Sequence, residues 1–388
     1  MALRDLVLGE TVGVAVTARG DVVQWGDGYD AAARQPEVTL AGKNVSRAVI
    51  SGGCVYALAA KGDRVWVLPA AKADPTPARS FAPALGRRET VTALEAGDAH
   101  LVALTSAGRV FTALTGLAPV TSTEGQLGVP VLLDGSSTAE PNEFYLVHSL
   151  AAVDAVQVAA GAHHTLVRSA DGAVWSFGEN SHGQLGFDYT DATAFVPVPT
   201  EVPFDLKYRR RVHAAVDYIA AGANQSFFRV ARSDVPAKDL WVSGDGLFGQ
   251  HGTGRFAHVL GRPSVVRAIT DLSEYSEADR ALVPIPLRYL SIGPTHVAAA
   301  FDNAPDPDHT PAGGHSGRIV SVWGGNESYQ LGTGKRNNVA VPVAPLDLAA
   351  DRSANSRLVL PTVRTRAGVL ESTVVAGHLA TAVYCRPT

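Results

Sequence analysis

The chain of 388 residues has two cysteines and one methionine, the initiator. Two thiols cannot build the multi-bridge framework of a disulfide-stapled domain. Cys54 and Cys385 both lie in strand-like patterns and read as reduced buried thiols, with a disulfide between the first and last parts of the chain left open. No apolar run approaches the roughly 20 residues that a membrane helix needs. The phosphate-cradling P-loop, a G-x-G-x-x-G after a strand, H-E-x-x-H, C-x-x-C and the G-x-S-x-G nucleophile elbow are all missing. Their absence argues against the common nucleotide-binding, metalloprotease, thiol-redox and serine-hydrolase classes, and the chain reads as a non-enzyme with no cofactor and no metal. Formal net charge is −4, which gives no general attraction to nucleic acid.

What the chain has in quantity is repetition. Seven copies of one plan each open with a short apolar strand ending in a glycine: Gly9, Gly53, Gly97, Gly161, Gly222, Gly293 and Gly377. A second apolar strand follows, then a polar turn, then a third strand rich in Val and Trp. Residues 155–186, AVQVAAGAHHTLVRSADGAVWSFGENSHGQLG, show the plan most fully. Apolar residues alternate in VAVTA, TLVRS and AVWSF, the period of half-buried strands. Gly20, Gly62, Gly108, Gly172 and Gly317 stand where the chain must reverse. Trp25, Trp66, Trp175, Trp241 and Trp323 occupy one place in five copies, with Phe111 in a sixth, and read as packing between blades. A unit of this size cannot bury its own apolar face. Seven small antiparallel sheets around an axis bury those faces against one another, so the fold class is all-β, a seven-bladed β-propeller forming one domain over residues 1–388.

The core glycines lie 44, 44, 64, 61, 71 and 84 residues apart. A plain blade takes about 44, so the excess marks long loop insertions at 113–150, 187–213, 255–286, 302–316 and 335–369. Within them SEYSEADRAL, residues 273–282, predicts a short helix. DNAPDPDHTPA, from 302, reads as an exposed loop, since its prolines and missing downstream Glu do not suit a calcium loop. His163 and His164 lie in the repeat core, with His100, His296 and His378 at similar places, and read as hydrogen-bonded structural residues. Thr11, Val55 and Asn224 or Gln225 interrupt any metal-binding ring of them. Lys207, Tyr208, Arg209, Arg210 and Arg211 form the sharpest charge cluster and are the candidate partner-binding residues, able to meet phosphate, an anionic surface or an acidic protein.

The repeat resembles that of the RCC1-like propellers, with an A-G-x-x-H-T core, a G-x-V-W-x-W-G strand and a closing G-Q-L-G. Those elements stand here as Ala160–Thr165, Gly172–Gly178 and Gly183–Gly186, with echoes of the last at Gly125–Gly128 and Tyr329–Gly332. The pattern departs at Val67-Leu68-Pro69 and at Gly249-Gln250-His251-Gly252. The resemblance implies protein partners bound through propeller faces and loops. It also implies an alternative, guanine-nucleotide exchange on a small GTPase, which in this family goes with a basic tail and an inserted wedge; neither is recognisable here.

Residues 3–30 and 54–70 are similar to the fungal mitochondrial RCC1-like proteins. That subgroup implies a mitochondrial, inner-membrane-associated scaffold that assists assembly of the cytochrome bc1 complex. The seventh copy ends where its Val/Trp strand is due, and ring closure in this family borrows that strand from the other terminus. Residues 1–8 are too few for both this strand and the first strand of the opening copy. The expectation is that upstream residues complete the last blade and supply any targeting peptide or membrane association.

Overall fold

The computed structural model describes residues 2–33, 35–117, 123–130, 139–204, 208, 212–277, 279–302, 317–346, 357–365 and 368–387. Blade one is β1 (Leu3–Leu8), β2 (Gly13–Thr17), β3 (Val22–Trp25) and β4 (Glu37–Leu40), with a one-turn helix α1 (Asp27–Asp30) before its last strand. Blade two is β5 (Val45–Ser51), β6 (Cys54–Ala59), β7 (Val65–Pro69) and β8 (Arg79–Phe81). Blade three is β9 (Val91–Ala96), β10 (His100–Thr105), β11 (Val110–Leu114) and β12 (Phe144–Leu146). Blade four is β13 (Ala155–Ala160), β14 (His164–Ser169), β15 (Val174–Glu179) and β16 (Phe195–Glu201). Blade five is β17 (Ala214–Gly222), β18 (Gln225–Arg232), β19 (Asp239–Gly246) and β20 (Ala257–Val265).

A short helix α2 (Arg267–Thr270) and a hairpin of β21 (Ser273–Ser276) and β22 (Ala281–Pro284) then precede blade six. That blade comprises β23 (Leu287–Ile292), β24 (His296–Phe301), β25 (Gly317–Gly324) and β26 (Val339–Val343). Blade seven is built on β27 (Val359–Thr365), β28 (Gly368–Ala376) and β29 (Thr381–Pro387), and β27 also pairs with the start of β25, joining the last two blades. All ladders are antiparallel, and first strands touch in the cyclic order β1, β5, β9, β13, β17, β23, β28, then β1 again. The architecture is the seven-bladed propeller that the repeat predicts.

The ring is tight because the core glycines let one blade's strand end press on the next. A Cβ added at Gly97 would lie 2.2 Å from the Gly161 carbonyl oxygen, at Gly161 2.5 Å from that of Ala223, and at Gly293 2.3 Å from that of Gly377. A Cβ on Gly377 would meet Leu8, 2.4 Å away, where the ring closes. Close backbone approach, rather than a left-handed turn, is what excludes a side chain there. Turn-to-turn bonds run around the same circle: Gly52 N donates to Asp98 O (2.8 Å), Asp98 N to Ala162 O (2.9 Å), Ala162 N to Ala223 O (2.7 Å) and His378 N to Leu8 O (3.2 Å).

A side-chain relay repeats one layer further out. In blade three His100 Nε2 lies 3.0 Å from Thr165 Oγ1 of blade four, whose hydroxyl donates back to the Gln126 carbonyl of blade three (3.1 Å). His164, Ser226 and the Gln184 carbonyl repeat the pattern between blades four and five, at 2.9 and 2.6 Å. Since each hydroxyl spends its one proton on the carbonyl, the imidazole must donate from Nε2, leaving a bare, buried Nδ1. His296 reaches Thr381 Oγ1 in the same way, 2.9 Å, from blade six to blade seven. Burial pushes His100 and His164 down to about 3 and His296 to about 4. These histidines are structural, as their repeated position implies.

Several expectations need correction. Residues 273–282 form the β21–β22 hairpin instead of a helix, paired from Ser273↔Pro284 to Ser276↔Ala281; the helical turn falls earlier, at α2. The tryptophans occupy two rungs, not one. Trp66, Trp175 and Trp241 share a rung with Phe111, each paired with the fourth residue of its second strand, whereas Trp25 and Trp323 stand immediately before Gly26 and Gly324, where blade four has Phe177. Gly317 begins β25, whereas Gly20, Gly62, Gly108 and Gly172 take a positive φ. The stretches counted as insertions hold the outer strands β12, β16, β20 and β26, whose half-exposed sequences alternate too weakly to be read. Leu3–Leu8 serves as the first strand of blade one, and Ala2 bridges Cys385 in parallel. Cys54 and Cys385 are free thiols.

The relay makes stability depend on pH with a definite sign. The unfolded imidazoles titrate near 6.5, whereas the folded ones resist protonation until about pH 3 to 4. Their contribution is complete above pH 6.5 and is lost as pH falls, because the unfolded chain then binds more protons. At pH 5 each buried histidine should cost about 2 kcal/mol. Denaturant midpoints should drop between pH 7.5 and 5, and the drop should shrink in a His100→Gln/His164→Gln variant. An equal drop in both proteins would remove the relay as its cause.

Candidate functional site

First strands run toward one end of the ring, and third strands, two reversals later, finish at the same end. That face carries the core-glycine turns, the G-Q-L-G turns and the mouth of the central shaft. The shaft mouth is a cavity of ≈ 670 Å³ lined by residues of β1, β5, β9, β23 and β28, among them Asp5, Arg47, Glu95 and Ser291. Arg47 Nη2 contacts Glu95 Oε2 at 2.7 Å, and Asp5 accepts the backbone N–H of Leu6 and of Ala48, at 3.0 and 2.9 Å. Surrounding protein pushes the Glu95 carboxyl upward, with Arg47 pulling the other way. Arg47 still keeps 43% of its side chain exposed to the shaft, so the pair is a solvated one that holds blades two and three in register.

The G-Q-L-G turns are built alike. The Gln126, Gln184, Gln250 and Gln330 side-chain oxygens each accept the N–H two residues back, at 2.7, 2.9, 2.8 and 2.8 Å. Two of the turns also meet the blade after them. A Cβ on Gly128 would touch the Phe177 ring of blade four at 2.8 Å, and one on Gly252 would touch the Trp323 ring of blade six at 2.9 Å. Trp323 Nε1 donates to the Gln250 carbonyl, 2.8 Å. The aromatic of the next blade's third strand is thus seated under these two turns.

Blade six presents the same turn to blade seven, with Tyr329–Gly332. Gly332 has only Pro345 nearby, at 3.6 Å. Beside it lies an apolar slot of ≈ 480 Å³, lined among others by Tyr329, Leu331, Leu346, Val374, Leu379 and Val383. The strand along the slot also differs in exposure. The second strands β6, β10 and β24 are buried throughout, whereas β29 is half-exposed, with Val383 at 44%. Around the slot and on the same face of blade five, Leu247, Phe256, Tyr329 and Leu379 are 51%, 58%, 56% and 48% exposed. Large apolar groups gathered on one face suit a protein partner.

Tyr329 is the distinctive residue here. It takes φ 61° where the matching turns place Gly125, Gly183 and Gly249 at φ 82°, 79° and 86°. A bulky residue pays for the left-handed region, and the exposed ring gains only a stack under the Arg336 guanidinium, 5.6 Å away. Tyr329→Gly should therefore stabilise the fold by about 0.5–1 kcal/mol, read as a higher denaturant midpoint. A lower midpoint would show that the aromatic ring is needed for folding.

Of the predicted partner-binding residues, Lys207, Arg209, Arg210 and Arg211 lie outside the described residues. Tyr208 is half-buried against blade five. Its hydroxyl donates to Asp239 Oδ2 (2.9 Å) and accepts from Trp241 Nε1 (2.7 Å), and Arg232 stacks on its ring at 5.4 Å. Burial pushes its phenol up. The slot residues escaped sequence analysis because they come from 329–346 and 374–383, far apart in the chain. Tyr329 in place of the turn glycine was the one local signal.

Comparison with known proteins agrees with this geometry. The regulator of chromosome condensation (RCC1) repeat matches at residues 155–184 and again at 171–228. The crystal structure of human WBSCR16 is similar over 99% of this chain and 86% of that one, with TM-score 0.67 and 17% identity. Prp20p of Saccharomyces cerevisiae, from a study that names its binding to Gsp1p and histones, covers 99% and 82%, with TM-score 0.63 and 16% identity. Among curated proteins, the probable E3 ubiquitin-protein ligase HERC6 of Homo sapiens is 35% identical over 96 residues, 25% of this chain and 8% of that protein. The chain thus spans less than a tenth of that relative. Residues 155–228 carry RCC1 repeats, and the described chain folds as a seven-bladed propeller of the RCC1 type.

Proposed function

We propose that this protein is a non-enzymatic scaffold that binds other proteins through the G-Q-L-G face of its propeller. The observation that carries the proposal is the apolar slot between blades six and seven, with the exposed Leu247, Phe256, Tyr329 and Leu379 on the same face. Its chemistry selects a partner segment that seats an aromatic side chain under the Tyr329–Gly332 turn, as Trp323 sits under the corresponding turn of blade five. Prp20, a structural neighbour at 17% identity, is known in complex with Kap60, a protein partner, which is in keeping with such a role.

A peptide with the sequence Gly172–Glu179 of this chain, GAVWSFGE, is the direct probe. It should bind the full chain with Kd on the order of 10 µM, and Val383→Arg, on an exposed strand position, should weaken it at least tenfold. Absence of binding up to about 1 mM, or equal binding by the variant, would sink the proposal.

For the cellular setting we infer a mitochondrial, inner-membrane-associated role in assembling the cytochrome bc1 complex. The support is the similarity of residues 3–30 and 54–70 to the fungal mitochondrial members. Tagged protein should co-fractionate with the inner membrane and co-purify with bc1 subunits; recovery wholly in the cytosol overturns the assignment.

A further inference from the structure

On the same face, at the joint of blades four and five, three donor side chains converge that no local motif connects. His182 lies in the turn after β15, Asp245 near the end of β19 and His258 near the start of β20. Their candidate ligand atoms all lie within 4.8 Å of one another. The two imidazoles meet edge to face, with centroids 5.0 Å apart, and His258 Nδ1 is 3.2 Å from Asp245 Oδ1. We propose that this cluster is a binding site for a divalent transition cation of the zinc class.

The argument rests on how the backbone and the neighbouring groups prepare the donors. Leu260 N, two residues beyond His258, donates to the His182 carbonyl at 3.2 Å, so the turn and β20 are tied together across the blade joint. His182 N donates to the Gln184 side chain, which fixes the turn itself. Asp245 is held in place by the N–H of Leu247, 3.0 Å from Oδ1. The tautomer of His182 follows from its partners. Ser181 Oγ donates to Glu179 Oε1, and the His182 Nδ1 atom lies 2.8 Å from that same Oγ. The hydroxyl has one proton and gives it to the carboxylate, so it must accept from Nδ1–H. Nε2 of His182 is then left as a bare lone pair. A carboxylate–hydroxyl–imidazole chain of this kind is how ligating histidines are oriented in metal sites. Asn224 stands 3.4 Å from Nδ1, and its buried Oδ1 has no other partner; with the amide turned about, that oxygen accepts from Nδ1–H as well.

Two imidazoles and one carboxylate form a donor set that zinc accepts, leaving a further position open. Bonds of about 2.1 Å in a tetrahedral site place donors about 3.4 Å apart, so the cluster must contract by roughly 1 Å. The side chain of His258, 61% exposed, has the freedom to move in, whereas His182 and Asp245 are half-buried. Because the site spans two blades and opens on the face that carries the slot, the open position is available to a donor from a bound protein.

The test is titration of metal-free full-length protein with Zn²⁺, followed by calorimetry and by thermal unfolding. Wild type should bind one ion per chain in the micromolar range and gain thermal stability. His258→Gln, an exposed substitution, and Asp245→Asn should each lose at least tenfold in affinity and the thermal gain. Ser181→Ala should weaken binding about tenfold without removing a ligand, since it frees the His182 tautomer. Failure of wild type to bind up to about 1 mM Zn²⁺ overturns the proposal. Equal affinity and equal thermal gain in wild type and His258→Gln overturn it too, because the ion is then held by the chain's other histidines. The result is independent of the peptide titration, in which Val383 and the slot alone are changed.

Discussion

Everything in this propeller hangs on how closely seven strand ends approach the axis. At Gly97, Gly161, Gly293 and Gly377 one blade lies so near the next that a Cβ would stand 2.2–2.5 Å from a neighbouring atom. That proximity permits the turn-to-turn hydrogen bonds, and these set the distance at which His100 and His164 reach the hydroxyls of the following blades. Because the hydroxyl returns its proton to the first blade, the joints of blades three and four and of blades four and five are each closed by a bond in both directions. Larger residues at the axis would open all these contacts at once, so glycine, histidine and hydroxyl are one device in three parts.

The same device explains why one face bears the function. Strand polarity brings the core turns, the G-Q-L-G turns and the shaft mouth to one end. Each G-Q-L-G turn is a lid over the joint to the next blade, and it is well filled where Phe177 or Trp323 stands beneath it. Where blade six meets blade seven, an apolar slot lies beside the lid. The left-handed Tyr329 sits on that lid in place of glycine, an exception to local rules of the kind that marks a site of use.

The inner strands were legible because buried second strands such as HLVALT and HVAAAF, packed on both sides, are almost wholly apolar, and the Val/Trp strands repeat beside them. Sequence pattern failed at the fourth strands, because an outer strand has water on part of its surface and need not keep a pattern, as FVPVPTE of β16 shows. It failed at residues 273–282 as well, where helix-forming residues pair as a hairpin under tertiary context. The basic run at 207–211 drew attention through charge alone, and its one described member, Tyr208, is committed to Asp239 and Trp241.

The sequence by itself determined the number of blades, the axial glycines and the structural histidines, because each copy repeats the same burial problem and solves it with the same residues. Only the tertiary structure decided which residues form a site. Tyr329 and Val383 line one slot, and His182 meets Asp245 and His258, through the packing of successive blades. Contacts of that kind depend on ring geometry, which places side chains more than fifty residues apart within a few ångströms and leaves no trace in any local pattern.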